Sequence, residues 1–183
     1  MTTLISSTAT ASVFVTSYAV GNQTGFANGK WFDLTDFSDK DEFIEAATDY
    51  VIEHLGDEDP ELCFSDYESS FSNNGLISEG GISAKVWEIL ELTNDDLEIL
   101  QAYIGALGSS NSCDSISELL EQAQNTHIGH WSDQSDFGYD QMAQRMDLDS
   151  LPCEIAGSID WEKVGEELSW DYLEFDGHYF INQ

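Results

Sequence analysis

Hydrophobic and polar positions follow two rhythms along this chain. Ser12 to Tyr18 (SVFVTSY) is rich in β-branched and aromatic residues. Turn-forming residues from Asn22 to Gly29 separate it from Lys30-Trp31-Phe32-Asp33-Leu34, which predicts two strands joined by a loop. Ser38 followed by Asp41 reads as a shortened capping box, and Phe43, Ala47 and Tyr50, with Ile44, Val51 and Leu55 beside them, recur at helical spacing until Gly56 ends the run. Asp59-Pro60 opens a third extended piece, Leu62 to Phe64, leading into Asp66-Tyr67-Glu68. The Ser-, Asn- and Gly-rich stretch from Phe71 to Gly81 reads as a linker or long loop. Ser83 to Leu92 and Asp95 to Leu107 follow as two helices, the second capped by Thr93 with Asp96, paired antiparallel across a tight turn.

Gly108 to Cys113 breaks the pattern, and Ser115 with Glu118 caps a helix running to about Gln124. His127 to Trp131 is expected to be extended, Asp133 to Met146 helical, Pro152 in a loop and Asp160 to Trp170 helical. Asp176-Gly177 between Tyr172–Phe175 and His178–Ile181 signals a hairpin. The predicted class is α+β, with an N-terminal α+β subdomain over 1-70 (1-11 frayed), a central helical subdomain over 71-110 and a C-terminal α+β subdomain over 111-183.

Charge changes the picture. Of 183 residues, 36 are Asp or Glu and 5 are Lys or Arg, a net charge of -31. The cations are Lys30, Lys40, Lys85, Arg145 and Lys163. A nucleic-acid binder needs clustered bases and a polybasic membrane anchor needs the same, so both classes are excluded. With 41% hydrophobic and 12% aromatic residues the chain has the apolar surface to fold, unlike a disordered acidic tail. No stretch approaches a membrane span, residues Met1 to Ser12 carry neither part of a secretory signal, and Cys63, Cys113 and Cys153 form no disulfide or CxxC framework. These features predict reduced thiols and a cytoplasmic protein.

Duplex DNA carries one charge per about 1.7 Å, so the chain's excess charge equals that of about 53 Å of duplex. A compact chain of this length has a radius of gyration of only about 16 Å. The acids are also patterned. Glu42, Glu45, Asp49 and Glu53 line one helical face opposite its apolar stripe, Asp114, Glu118 and Glu121 repeat the arrangement, and so do Glu162 and Glu166. Like charges at this spacing cost about 0.2–0.5 kcal/mol each, and no cation stands between Lys85 and Arg145 to relieve them. Three readings of such a surface are open: solubility or salt adaptation, cation binding, and electrostatic imitation of a phosphate backbone.

Local motifs for other chemistry fail on context. His127-Ile128-Gly129-His130 spells the HIGH nucleotide-binding word, without a Gly-rich strand-to-helix turn before it or a Lys-rich partner after it. The same histidines with Asp133 and Asp136 lack the defined spacing of zinc or calcium sites. GxSxG, GxxxxGK[ST], HExxH and GxGxxG are absent, and carboxylate pairs carry no information among so many acids. No enzyme activity, cofactor or metal is expected.

Several words in order resemble the ArdA antirestriction family: Gly29-Lys30-Trp31-Phe32-Asp33-Leu34, then Asp59-Pro60-Glu61-Leu62 leading to Asp66-Tyr67-Glu68, and Ile159-Asp160-Trp161 with Asp171-Tyr172 and Asp176-Gly177-His178-Tyr179-Phe180. Gly129 to Phe137 is similar to that family's third domain. The resemblance implies an elongated, curved chain of three small α/β domains in a row, usually a homodimer, imitating B-form DNA. It would occupy the DNA-binding groove of type I restriction-modification enzymes, on the methyltransferase core with its specificity subunit, and so protect mobile genetic elements. The expected mimic surface comprises Glu42, Glu45, Asp49, Glu53, Glu88, Glu91, Asp95, Asp96, Asp114, Glu118, Glu121, Asp133, Asp136, Glu162 and Glu166, with the aromatic words as scaffold. A CRISPR effector or nucleoid protein is the alternative client.

Overall fold

The computed structural model describes residues 9–108 and 115–182. They form two compact units, 9–98 with 115–118, and 99–108 with 119–182.

In the first unit, strand β1 (Ala11–Ser17) leads directly into helix α1 (Tyr18–Thr24), followed by β2 (Lys30–Asp33), a 3-10 turn (Leu34–Asp36), α2 (Lys40–Tyr50) and β3 (Leu62–Ser69). Strand order is β2-β1-β3, antiparallel throughout, with Val13 opposite Phe32 and Tyr67. Val13, Val15, Phe32 and Phe64 fill the inner face, where Phe43 of α2 is fully buried. Its ring lies 6.0 Å from Phe32, 5.9 Å from Phe64 and 6.0 Å from Trp87. Ala9 is already buried and Thr10 bonds Ser70 in both directions, so the chain is fixed before β1 begins; the earlier leader lies outside the described residues.

Three local expectations are corrected. Helix α1 occupies part of the expected loop because the Ser17 hydroxyl accepts the Val20 N–H and starts it despite Gly21 and Asn22. The cap of α2 is Asp39, whose carboxylate accepts the Glu42 N–H, while Glu42 folds back to accept from the Ser38 N–H and hydroxyl, each at 2.7 Å. Past Tyr50 the helix widens into a π-helical turn (Val51–Leu55) before Gly56 stops it at φ 74°. The expected linker is also more ordered than its composition suggests. It contains β4 (Ile77–Ser78) and the start of β5 (Gly81–Ile82), which pair as a hairpin, and it buries Phe71 and Ile77. Helix α3 (Lys85–Leu90) follows, with Trp87 donating its indole N–H to the Phe37 carbonyl at 3.1 Å.

Helices α4 (Asn94–Leu107) and α5 (Ile116–Thr126) follow in the chain. Within the second unit come β6 (His127–His130), α6 (Gln134–Arg145), a 3-10 turn (Leu148–Ser150), α7 (Cys153–Ala156), α8 (Trp161–Ser169), β7 (Tyr172–Phe175) and β8 (His178–Ile181). The sheet order is β6-β8-β7, antiparallel. Asp176 and Gly177 both take positive φ, 49° and 79°, as a two-residue hairpin turn requires. Phe137 of α6 stacks on Tyr179 at 4.0 Å, and Phe180 meets Tyr103 of α4 at 5.1 Å. Helices α6 and α8 meet through glycines: a Cβ on Gly138 would sit 2.6 Å from the Trp161 carbonyl oxygen and 2.7 Å from the Gly165 nitrogen. Both units mix helices with small antiparallel sheets, the α+β class expected.

Candidate functional site

The most distinctive chemical feature of the described surface is its carboxylates. A carboxylate stays in water unless it is paired or hydrogen-bonded, and here burial is rare. Every described Asp and Glu is exposed except Asp57, Glu88 and Asp96, which are half-buried. Each of these three holds the fold. Asp57 accepts the Ser17 hydroxyl at 2.6 Å, Glu88 the Ile116 N–H at 2.9 Å, and Asp96 the Thr93 hydroxyl at 2.6 Å.

The remaining sites read from sequence lie on faces that the apolar stripes leave to solvent. On α2 and the turn after it, Phe43, Ala47 and Val51 are buried while Glu42, Glu45, Asp49 and Glu53 are exposed. Glu91 at the end of α3 and Asp95 in the first turn of α4 are exposed, as are Glu118 and Glu121 on α5 beside buried Leu119 and Ala123. Asp133 caps α6 by accepting the Asp136 N–H, and Glu162 and Glu166 flank the buried Gly165 of α8. Asp114 lies outside the described residues.

Several acids serve a second purpose. Asp33, Asp39, Asp133, Asp147 and Asp160 accept backbone N–H groups at the starts of their helices or turns. The positive end of each helix thereby offsets part of the charge that scarce Lys and Arg leave unbalanced. The two hydrogen bonds from Ser38 hold the Glu42 carboxyl below the ordinary range.

Sequence reasoning missed a further acidic group. The outer face of the first sheet places Ser12 between Asp33 and Glu68, and Phe14 between Trp31 and Asp66. Alternation in Asp66-Tyr67-Glu68 signals that two of these share a face; only strand register brings in Asp33.

One thiol and two phenols have their acidity shifted by their surroundings. Burial pushes the Cys63 thiol up, reinforced by Glu79, whose Oε1 lies 3.8 Å from Sγ. Tyr18 is raised by burial and Glu79, and Tyr179 by burial and Glu174, so all three favour the protonated form. The HIGH word is strand β6: His127 Nε2 lies 3.1 Å from His178 Nδ1, and Gly129 at φ 150° leaves room for the Trp131 ring. Among the described residues no three His, Cys, Asp or Glu gather as metal ligands, and no helix is long and apolar enough to cross a membrane.

A family model described as antirestriction protein (ArdA) matches residues 13–180. The chain belongs to the ArdA family. No curated protein matches it in a parallel comparison. As an ArdA member it is an antirestriction protein, and restriction-modification enzymes are the partners that family membership indicates. The ArdA match runs from Val13 in β1 to Phe180 in β8, so strands of all three described sheets fall within it.

Proposed function

We propose that this ArdA-family protein is an acidic mimic of B-form DNA that occupies the DNA-binding groove of type I restriction-modification enzymes, on the methyltransferase core with its specificity subunit. Occupation of the groove blocks restriction and modification of incoming DNA on mobile genetic elements. The protein acts as a homodimer in the cytoplasm, with no cofactor and no catalytic step of its own.

One observation carries this reading: nearly all of a -31 chain's carboxylates are held in water by folded elements, with almost no cation interspersed. Such a surface offers a cationic groove the long-range steering and the ion release that phosphates offer, without a scissile backbone. Solubility alone would be served by a lower charge; a magnitude of about 2–8 is ample for a small domain.

The test is competition for a type I methyltransferase bound to labelled cognate duplex, repeated across salt concentrations. Stoichiometric displacement that weakens steeply with salt is expected. The quadruple variant Glu42→Gln, Glu45→Gln, Asp49→Asn and Glu53→Gln should displace DNA at least about tenfold less well, each lost contact flattening the logarithmic salt slope by roughly one unit. DNA that stays bound at low salt under large protein excess overturns the type I assignment and directs attention to another DNA-handling client.

A further inference from the structure

We propose that the outer face of the β2-β1-β3 sheet is a docking surface for an arginine side chain of the partner protein. The inference rests on the reading above, in which the partner presents a cationic groove.

A hollow of about 400 Å³ on this face is lined by Phe14, Phe26, Ala27, Trp31, Ser65 and Asp66. Trp31 is 41% exposed and Phe26 39% exposed, and here two exposed rings share one hollow with a carboxylate. They differ from Phe32 and Tyr179, which are buried and serve the cores. The walls are set by close contacts. A Cβ on Gly21 would collide with the Phe26 ring, and one on Gly29 would lie 2.7 Å from Phe14, so these glycines allow both rings to seat against the backbone. Phe14 in turn meets Trp31 edge-on, centroids 5.7 Å apart at 70°. Asp66 accepts the Tyr67 N–H at 2.9 Å through Oδ1, which orients the carboxylate and leaves Oδ2 for a guest.

Charge selects the occupant. Asp66 lines the hollow, and Asp33 and Glu68 line a second hollow of about 390 Å³ over the next row. The nearest basic residue in sequence, Lys30, has its Nζ over Phe32 at 4.6 Å and Tyr50 at 5.7 Å, directed to the other side of the sheet. An aromatic hollow flanked by carboxylates and clear of that lysine suits a cation with an apolar face. Guanidinium fits better than ammonium because it is planar, weakly hydrated, stacks on an indole and forks onto a carboxylate.

The experiment has two arms on the full chain. In the first, the Trp31 indole N–H signal, assigned with Trp31→Phe, is followed by NMR during titration with acetyl-Gly-Arg-Gly-amide and acetyl-Gly-Lys-Gly-amide at matched ionic strength. The arginine peptide should move it saturably and bind about fivefold more tightly than the lysine peptide, and Asp66→Asn should remove most of the shift. A signal that stays still, or that moves equally with both peptides, overturns the proposal.

In the second arm, Trp31→Thr and Asp66→Asn are each compared with wild type in the methyltransferase displacement assay, with Glu167→Gln as a control for losing one charge elsewhere. Each should weaken displacement about three- to tenfold while the control stays near wild type and all melt alike. If every variant displaces DNA like wild type and the peptides leave Trp31 unmoved, the docking surface falls and the mimic reading stands. If the arginine peptide binds but no protein displaces DNA, the mimic reading falls and the docking surface stands.

Discussion

At Glu88 a single carboxylate is drawn from the acidic surface into the fold. It accepts the Ile116 N–H at 2.9 Å, one of the donors that the first turn of α5 leaves unsatisfied, and it does so from 28 positions away. Hydrogen bonds to charged groups contribute about 1.5–3 kcal/mol, more than most exposed ion pairs. Glu88→Ala should therefore lower unfolding free energy by about 1–3 kcal/mol in urea titration, whereas Glu91→Gln, exposed three residues on, should change it by under about 0.5 kcal/mol. Equal effects would show that Glu88 is merely another surface acid. In the sequence the two glutamates are indistinguishable, because both follow the apolar residues of α3 at helical spacing. What separates them is a contact with a distant backbone nitrogen, and periodicity carries no record of that.

Helix α2 shows which features of an element are legible. Its existence and its inward face follow from Phe43, Ala47 and Val51, which are buried as their spacing predicts. Its start does not, because Ser38, Asp39 and Asp41 are all competent caps and local geometry chose Asp39 with Glu42. A carboxylate whose folded pKa is lowered contributes stability that is fully present above its unfolded value, about 4.3, and is lost as pH falls through the lower folded value. Wild type should thus lose thermal stability more steeply than Glu42→Gln as pH falls below about 4.3, and the variant should already melt lower at pH 7. Parallel melting curves across that range would exclude the cap as their cause. Helix α1 and the β4-β5 hairpin were illegible for different reasons. Gly21 and Asn22 are poor helix formers overridden by the Ser17 cap, and two-residue strands are too short to display a period.

For the whole molecule, one sign of charge dominates, and its self-repulsion opposes the compact state. The Debye length falls from about 30 Å at 0.01 M salt to about 8 Å at 0.15 M. The melting temperature should therefore rise by several degrees over that range, with about 2–4 °C for each kcal/mol of repulsion relieved. A flat or falling response would mean that the carboxylates do not strain the fold. Most of the candidate surface was legible because acids opposite apolar stripes must face water; the outer sheet face was not, since Asp33 and Glu68 meet across Ser12 only through strand register. The glycine contact between α6 and α8 has a different consequence. At Gly138 even one added methyl group would collide with the Trp161 carbonyl, so the joint tolerates almost no alphabet beyond hydrogen. A surface potential, by contrast, is a sum, and a carboxylate deleted from one turn can be replaced on the next. Substitution at Gly138 is therefore far more tightly constrained than substitution of any single exposed acid.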